Sequence, residues 1–342
     1  MADRVLVTGI SGFVGCHLAL ALLDRGYQVR GSLRDLGRAE QVRAALQAGS
    51  AKGDVGALEF VALDLTRDNG WREAAAGCRY LQHVASPFVI DMPADRNELI
   101  RPAVEGTRRA LGAGLAAGVE RIVLTSSFAA IGYGHPRERT APFTEADWTA
   151  TEGPGVNAYT ESKTRAELEA WSIMEAAGRR HELAVVNPTG ILGPLLDNDP
   201  GTSNELLVQA LRGRFPAVPR LDFNFVDVRD VVALLIKAME APEAGGERFL
   251  AAAGQMSLKQ VAATLRQAFP AYANKLPRIE LPDWVVRVAA AFSPAARAAA
   301  GQLGQSKAVD NRRATALLGH PFIAPADSVI ATGRSLIERG LV

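Results

Sequence analysis

Short β-branched runs alternate with longer stretches of helical period along the first half of the chain, the pattern of βαβ units wound around a parallel sheet. Strands are predicted at residues 5–8, 28–33, 58–63, 80–84, 121–126 and 183–187, and helices at 13–25, 38–48, 71–76, 97–117 and 158–177. The rhythm then changes. A Pro/Gly/Asn/Asp-rich segment, 188–203, leads to a helical stretch ending in Arg212-Gly213-Arg214 and then to Pro216 and Pro219. Further strands are expected at 225–228 and 248–250, with helices at 230–240 and 257–269, the latter placing Leu258, Val261, Ala262 and Leu265 on one face. The predicted fold class is α/β: an open, doubly wound parallel sheet with a smaller C-terminal lobe. Residues 1–187 form the first domain, which also receives 224–252, and 188–342 mainly form the lobe.

With 342 residues, 48% hydrophobic and 22% charged, the chain has room for a large core and no disordered or fibrous character. Lys plus Arg number 38 against 37 Asp plus Glu, so a net charge of +1 offers no broad field to nucleic acid or an anionic membrane. Phosphate binding must therefore be local. Cys16 and Cys78 are isolated thiols without a CxxC pair or a His at ligand spacing, which points to a reducing compartment and no metal site. The N-terminal Met-Ala-Asp-Arg enters a strand directly, without a signal-peptide pattern. The apolar stretch 284–300 is interrupted by Arg287, Pro294 and Arg297 and is too broken to span a bilayer. The expected location is the cytoplasm.

The first strand runs into Thr8-Gly9-Ile10-Ser11-Gly12-Phe13-Val14-Gly15 and then a helix. Glycine suits a tight turn, close approach of backbone to a pyrophosphate, and helix–strand packing, while the helix N-terminus offers N–H groups and a positive dipole end. Gly9, Ser11, Gly12, Phe13, Val14 and Gly15 are thus candidate dinucleotide contacts on a Rossmann sheet. The end of the second strand reads Leu33-Arg34-Asp35. An acid there would accept the ribose hydroxyls of NAD, whereas Arg34 suits the 2′-phosphate of NADP, so NADP (NADPH) is the expected cofactor. The alternative leaves Arg34 as a solvated charge and gives the ribose to Asp35; Arg38 is a second phosphate candidate.

Tyr159 and Lys163 stand one helical turn apart, so an ammonium beside the phenol could lower its pKa from roughly 10 and fit it for proton transfer to a carbonyl oxygen. Thr125-Ser126-Ser127 ends the fifth predicted strand, where a hydroxyl could steady that oxygen. Nothing local distinguishes the two serines, and either could cap a turn.

As a set, these motifs resemble the extended short-chain dehydrogenase/reductase superfamily. The segments Arg34-Asp35, His83-Val84-Ala85-Ser86-Pro87, Pro102-Ala103-Val104-Glu105-Gly106-Thr107, Asn187-Pro188, Gly193-Pro194 and Val226-Asp227-Val228-Arg229-Asp230-Val231 are similar to its dihydroflavonol reductase, cinnamoyl-CoA reductase and bacterial aldehyde reductase branch. The resemblance extends to about Glu240. It implies Ser127 as the catalytic serine, Tyr159 as general acid/base, and Lys163 as its partner and ribose ligand. It also implies that Asp64 and Leu65 flank the adenine, that Val84, Ala85 and Ser86 line the cofactor, and that Pro188, Thr189, Ile191 and Ser203 lie near the nicotinamide. Asn224 stands where plant members place a substrate-binding amide. Those members also carry an Asn after the catalytic Ser, whereas Phe128-Ala129-Ala130 follows here, which counts against a flavonoid substrate.

Phe88, Ile90, Tyr133, Phe223 and the helix from Asp283 are candidate walls of an apolar substrate pocket, with Phe88 taken as a substrate contact; core packing is the alternative. Trp148, Trp171 and Trp284 read as packing residues, and His83 as packing under the cofactor loop. The five histidines lack metal-ligand spacing. The expected activity is NADPH-dependent reduction of a small-molecule aldehyde or ketone by a monomer or homodimer. Rival readings are a nucleotide-sugar epimerase or dehydratase, a 3β-hydroxysteroid-type dehydrogenase favouring NAD, and a non-catalytic cofactor sensor. A dehydratase would carry an acid beside the strand-end serine, where Ser126-Ser127-Phe128 offers none.

Overall fold

The computed structural model describes residues 2–50, 52, 55–87, 93–199 and 201–342, the side chains of residues 202, 203, 294 and 295 excepted. The predicted alternation forms strands β1 (Arg4–Thr8), β2 (Gln28–Leu33), β3 (Leu58–Ala62), β4 (Tyr80–His83), β5 (Arg121–Thr125) and β6 (Leu183–Pro188). Between them run helices α1 (Phe13–Asp24), α2 (Ala39–Gly49), α3 (Trp71–Ala75), α4 (Asn97–Ala117) and α5 (Ala158–Ala176). A further short strand, β7 (Gly190–Leu192), follows β6. The chain then forms α6 (Gly201–Leu211), β8 (Ala217–Pro219), β9 (Asp222–Asp227), α7 (Val228–Glu240) and β10 (Arg248–Ala251). Beyond these lie β11 (Gly254–Ser257), α8 (Leu258–Ala268), β12 (Ile279–Leu281) and four terminal helices.

Strand order in the seven-stranded sheet is β3-β2-β1-β4-β5-β6-β10, all parallel. The order reverses beside β1, which leaves a crevice at the carboxyl ends of β1 and β4. Period-two alternation explains why both faces of the sheet are covered. Val5 and Val7 face a core shared with α1, α2 and α7, while Leu6 between them faces the opposite core with α3, α4 and α5. On β6, Ala184 and Val186 join the first core and Leu183 and Val185 the second.

In two smaller sheets, β7 and β11 flank β9, and β8 pairs with β12. Apolar faces of α6 and α8 pack there through Leu207, Leu211, Val261 and Leu265. Strand β9 begins and ends ahead of its predicted range because Asp227 caps the next helix, accepting the Arg229 N–H, so α7 starts at Val228 rather than at residue 230. Likewise Ser257 is the cap of α8 rather than its first residue, exchanging bonds with Gln260 in a capping box.

One packing expectation fails. Trp148 and Trp171 pack against the second core, but Trp284 is 68% exposed, because its short helix buries Val286 instead. Among the described residues, no helix is long and apolar enough to cross a membrane.

Candidate active site

The turn after β1 is built by crowding. Gly9 has φ +70°, and a Cβ there would lie 2.9 Å from the Ala85 Cα. A Cβ on Gly15 would come within 2.2 Å of the Gly9 carbonyl oxygen, so the helix presses directly on the turn. Gly12 is the N-cap of α1 and brings no side-chain cap, which leaves the first helical N–H groups free of a side-chain partner at the turn that Ser11, Phe13 and Val14 share. This cradle fits a pyrophosphate: small residues where backbone must approach, and donors uncapped by the protein itself.

Under the turn, the Thr8 hydroxyl oxygen accepts the N–H groups of Val84 and Ala85, both at 3.1 Å. Its proton then goes to His83 Nδ1 at 2.8 Å. Burial pushes the His83 imidazole down to about 3, so it is neutral and can accept that proton. His83 therefore fixes the loop that carries Val84, Ala85 and Ser86, as its sequence context suggested.

At the end of β2, Leu33 is buried and Arg34 is exposed. Asp35 is committed to its own turn, accepting the Gly37 N–H at 2.9 Å. Asp64 accepts the Thr66 N–H and hydroxyl at 2.8 and 2.7 Å, and these bonds lower its pKa. Leu65 packs over Gly106, where a Cβ would stand 2.5 Å from the leucine side chain.

Strand β5 delivers Ser126 and Ser127, and the structure separates them. Ser126 is buried and donates to the Glu167 carboxylate. Ser127 caps the short turn Phe128–Ala130, accepting the Ala129 N–H at 3.1 Å, and is hydrogen-bonded to Tyr159. Helix α5 is started by a capping box between Asn157 and Thr160, which sets its first turn against the sheet. Tyr159 and Lys163 thus share one face, with Lys163 Nζ 5.9 Å from the centre of the tyrosine ring.

The expected lowering of the Tyr159 pKa is not found: burial pushes the phenol up, against the pull of the Ser127 hydrogen bond. Desolvation of a phenolate outweighs the help of neighbours here. Lys163 moves the other way. Burial pulls its ammonium down to about 8, opposed by the Glu167 charge.

Ser127 and Tyr159 open into a cavity of about 260 Å³ that Pro188, Thr189 and Asn224 also line. Tyr133 and Phe223 stand in its wall, as expected, but the helix from Asp283 does not; Gln302, Gln305 and Lys307 take its place. Ile191 packs against the first core rather than lining this cavity. Phe88, Ile90 and the Ser203 side chain lie outside the described residues.

Sequence reasoning missed Glu167, which is fully buried beneath the site. It accepts from Ser126, from Asn187 Nδ2 at 2.7 Å and from Arg248 Nε at 2.6 Å. Asn187 Nδ2 also donates to the Ser127 carbonyl at 3.2 Å, so this network holds the β5 and β6 ends together. The available signal was spacing: Glu167 follows Lys163 by one more turn of the same helix face.

The parallel sheet with its glycine turn after β1 defines the class, a Rossmann-fold oxidoreductase. The chain belongs to the NAD dependent epimerase/dehydratase family, whose profile matches residues 5–252, within the extended short-chain dehydrogenases/reductases. A ketoreductase of Aspergillus niger, azaE, is 32% identical over 300 residues, 83% of this chain and 87% of that protein. Cinnamoyl-CoA reductase 1 of Oryza sativa subsp. japonica is 34% identical over 270 residues, 78% of this chain and 76% of the relative. Among solved structures, yeast methylglyoxal/isovaleraldehyde reductase Gre2, complexed with NADPH, superposes with TM-score 0.82 at 25% identity, covering 99% of this chain and 100% of that one.

Proposed function

We propose that this chain is an NADPH-dependent carbonyl reductase that converts an aldehyde or ketone to the alcohol. The observation that carries this reading is the meeting of Ser127 and Tyr159, hydrogen-bonded to each other in the cavity wall, with Lys163 one turn along α5 against the Tyr159 ring. Relatives named as reductases, and a neighbour complexed with NADPH, support it. When bound, the cofactor supplies a hydride to the carbonyl carbon.

Gly9, Ser11, Gly12, Phe13, Val14 and Gly15 would hold its pyrophosphate and Arg34 its 2′-phosphate. Asp64 and Leu65 would flank the adenine, with Val84, Ala85 and Ser86 beneath. Pro188, Thr189, Ile191 and Ser203 would lie toward the nicotinamide. On the substrate side, Ser127 Oγ holds the carbonyl oxygen and Tyr159 donates its proton there. A phenol kept protonated by burial suits that donor role. Lys163, as an ammonium against the Tyr159 ring, stabilises the phenolate left behind. Asn224 would contact the substrate beyond the reacting carbon.

The first test follows nicotinamide absorbance with NADPH and NADH in parallel against aromatic and aliphatic aldehydes and ketones. NADPH is expected to be consumed in preference, and Arg34→Ala to lower that preference by about tenfold, the effect of losing one charge-assisted phosphate contact. Absence of turnover with either cofactor, despite NADPH binding, would return the epimerase reading. A pH series adds a second prediction. Because Lys163 acts as a cation and its pKa is about 8, kcat/KM should hold below that pH and decline above it as the ammonium loses its proton. A profile flat through pH 10 would remove Lys163 from the mechanism.

A further inference from the structure

The cavity beyond Tyr159 contains a positive charge that proton transfer does not use. Lys307 lies in the cavity wall, past the end of the segment that the family profile matches. Its Nζ stands 3.3 Å from the centre of the Tyr133 ring. Among the described residues it forms no ion pair, and burial pulls its ammonium down to about 8. Among the described residues, no other lining residue is a Lys or Arg, and the lining acid, Asp222, is exposed to solvent. Burial pushes the Tyr133 phenol up to about 12, so that ring offers its π-face and no counter-charge.

The segment carrying Lys307 is fixed in place. Asn224 Nδ2 donates to the Lys307 carbonyl at 2.8 Å. Phe143 exchanges backbone hydrogen bonds with Ala308 and Asp310, both at 2.8 Å, and Ser306 donates to Gln255 at 3.0 Å. A long flexible side chain on a mobile loop would turn its charge toward water. Here the backbone is tied on several sides and the ammonium lies over an aromatic face inside the site. A desolvated cation without a carboxylate partner is an unfavourable arrangement that an anionic ligand relieves, through a charge-assisted hydrogen bond in a low-dielectric cavity.

The geometry points to Lys307 as the anchor for a carboxylate on the substrate: the carbonyl compound reduced here is an oxo acid. Its carbonyl oxygen meets Ser127 and Tyr159, its carboxylate meets Lys307, and Tyr133, Phe128, Phe223 and Phe225 enclose the apolar part. This assignment rests on the reductase reading of the same site. It makes Lys307 a specificity residue, since a neutral ketone of the same shape leaves the ammonium unpaired.

The test compares benzoylformate and benzoylpropionate, two carbonyl-to-carboxylate spacings, with their methyl esters as NADPH-oxidising substrates. At least one acid should exceed its ester in kcat/KM by about tenfold or more, chiefly through KM, the effect of one hydrogen bond to a charged group. Lys307→Met should bring the acid-to-ester ratio close to unity, and Lys307→Arg, which keeps the charge, should retain it. Esters equal or better in both pairs, or a ratio that Lys307→Met leaves unchanged, would overturn the assignment. Calorimetric titration of each acid into the NADPH-loaded protein separates this from failure of the reductase reading. If no carbonyl compound oxidises NADPH, acid binding that Lys307→Met abolishes still supports the anion site, and no acid binding overturns it.

Discussion

Tyr159→Phe is expected to lower kcat/KM for carbonyl reduction by roughly 10²–10⁴, the range that a positioned acid or base contributes. The substitution removes one hydroxyl and leaves the ring against which Lys163 lies. It adds no volume to a half-buried position and deletes no backbone contact, so thermal stability should hold. Fluorescence titration should find NADPH affinity close to that of the parent, because the glycine turn and the Val84–Ala85 loop are held by Thr8 and His83 rather than by Tyr159. Loss of turnover with binding intact assigns proton transfer to the phenol. Retained turnover would show that water or Ser127 supplies the proton, and the role given to α5 would fall with it.

The parts of this site legible in the sequence are those whose physics is local. The turn after β1 was readable because glycine spacing at a strand–helix junction has a backbone cause, visible in the positive φ of Gly9 and the contact between Gly15 and the Gly9 carbonyl. The strands of the main sheet were readable because the Val5-Leu6-Val7 alternation feeds two separate cores. Three-residue strands such as β7, β8 and β12 carry no period to detect and exist through their partners.

The local residues could not separate Ser126 from Ser127, which the resemblance alone chose, because the bond that sets them apart joins Ser126 to Glu167 on another element. The pKa of Tyr159 was misjudged for a related reason. Helical spacing reports that an ammonium is near, but how much water has left the phenol depends on segments far away in sequence. Lys307 was invisible for the same reason: its neighbours Tyr133 and Asn224 come from separate loops and strands.

Glu167→Gln should destabilise the protein by about 3–5 kcal/mol, the usual result of breaking a buried ion pair from one side. Arg248 is the partner left behind. Its guanidinium is buried, donates to Glu167 through Nε and to the Glu145 and Asp147 carbonyls through Nη1, and stacks 3.8 Å from the Trp148 ring centre. Glutamine is a poor substitute despite its shape. Asn187 Nδ2 and Arg248 Nε both donate to the carboxylate, and so does Ser126, so an amide NH₂ placed there confronts donors. Only the Ser126 hydroxyl can reverse.

The same substitution should also reach the chemistry. Glu167 raises the Lys163 pKa against the effect of burial, so removing its charge lets that pKa fall further. The alkaline limb of the kcat/KM profile should then move to lower pH. A compensating pair, Glu167→Met with Arg248→Leu, should recover much of the stability, since apolar residues can replace a buried ion pair. It should leave the displaced pH limb in place. Denaturation midpoints and pH–rate profiles of the single and double variants separate the two effects. A pH limb that returns along with stability would confine Glu167 to holding the β5 and β6 ends together. A limb that stays displaced in a stable protein makes the buried carboxylate the group that sets the charge state of Lys163.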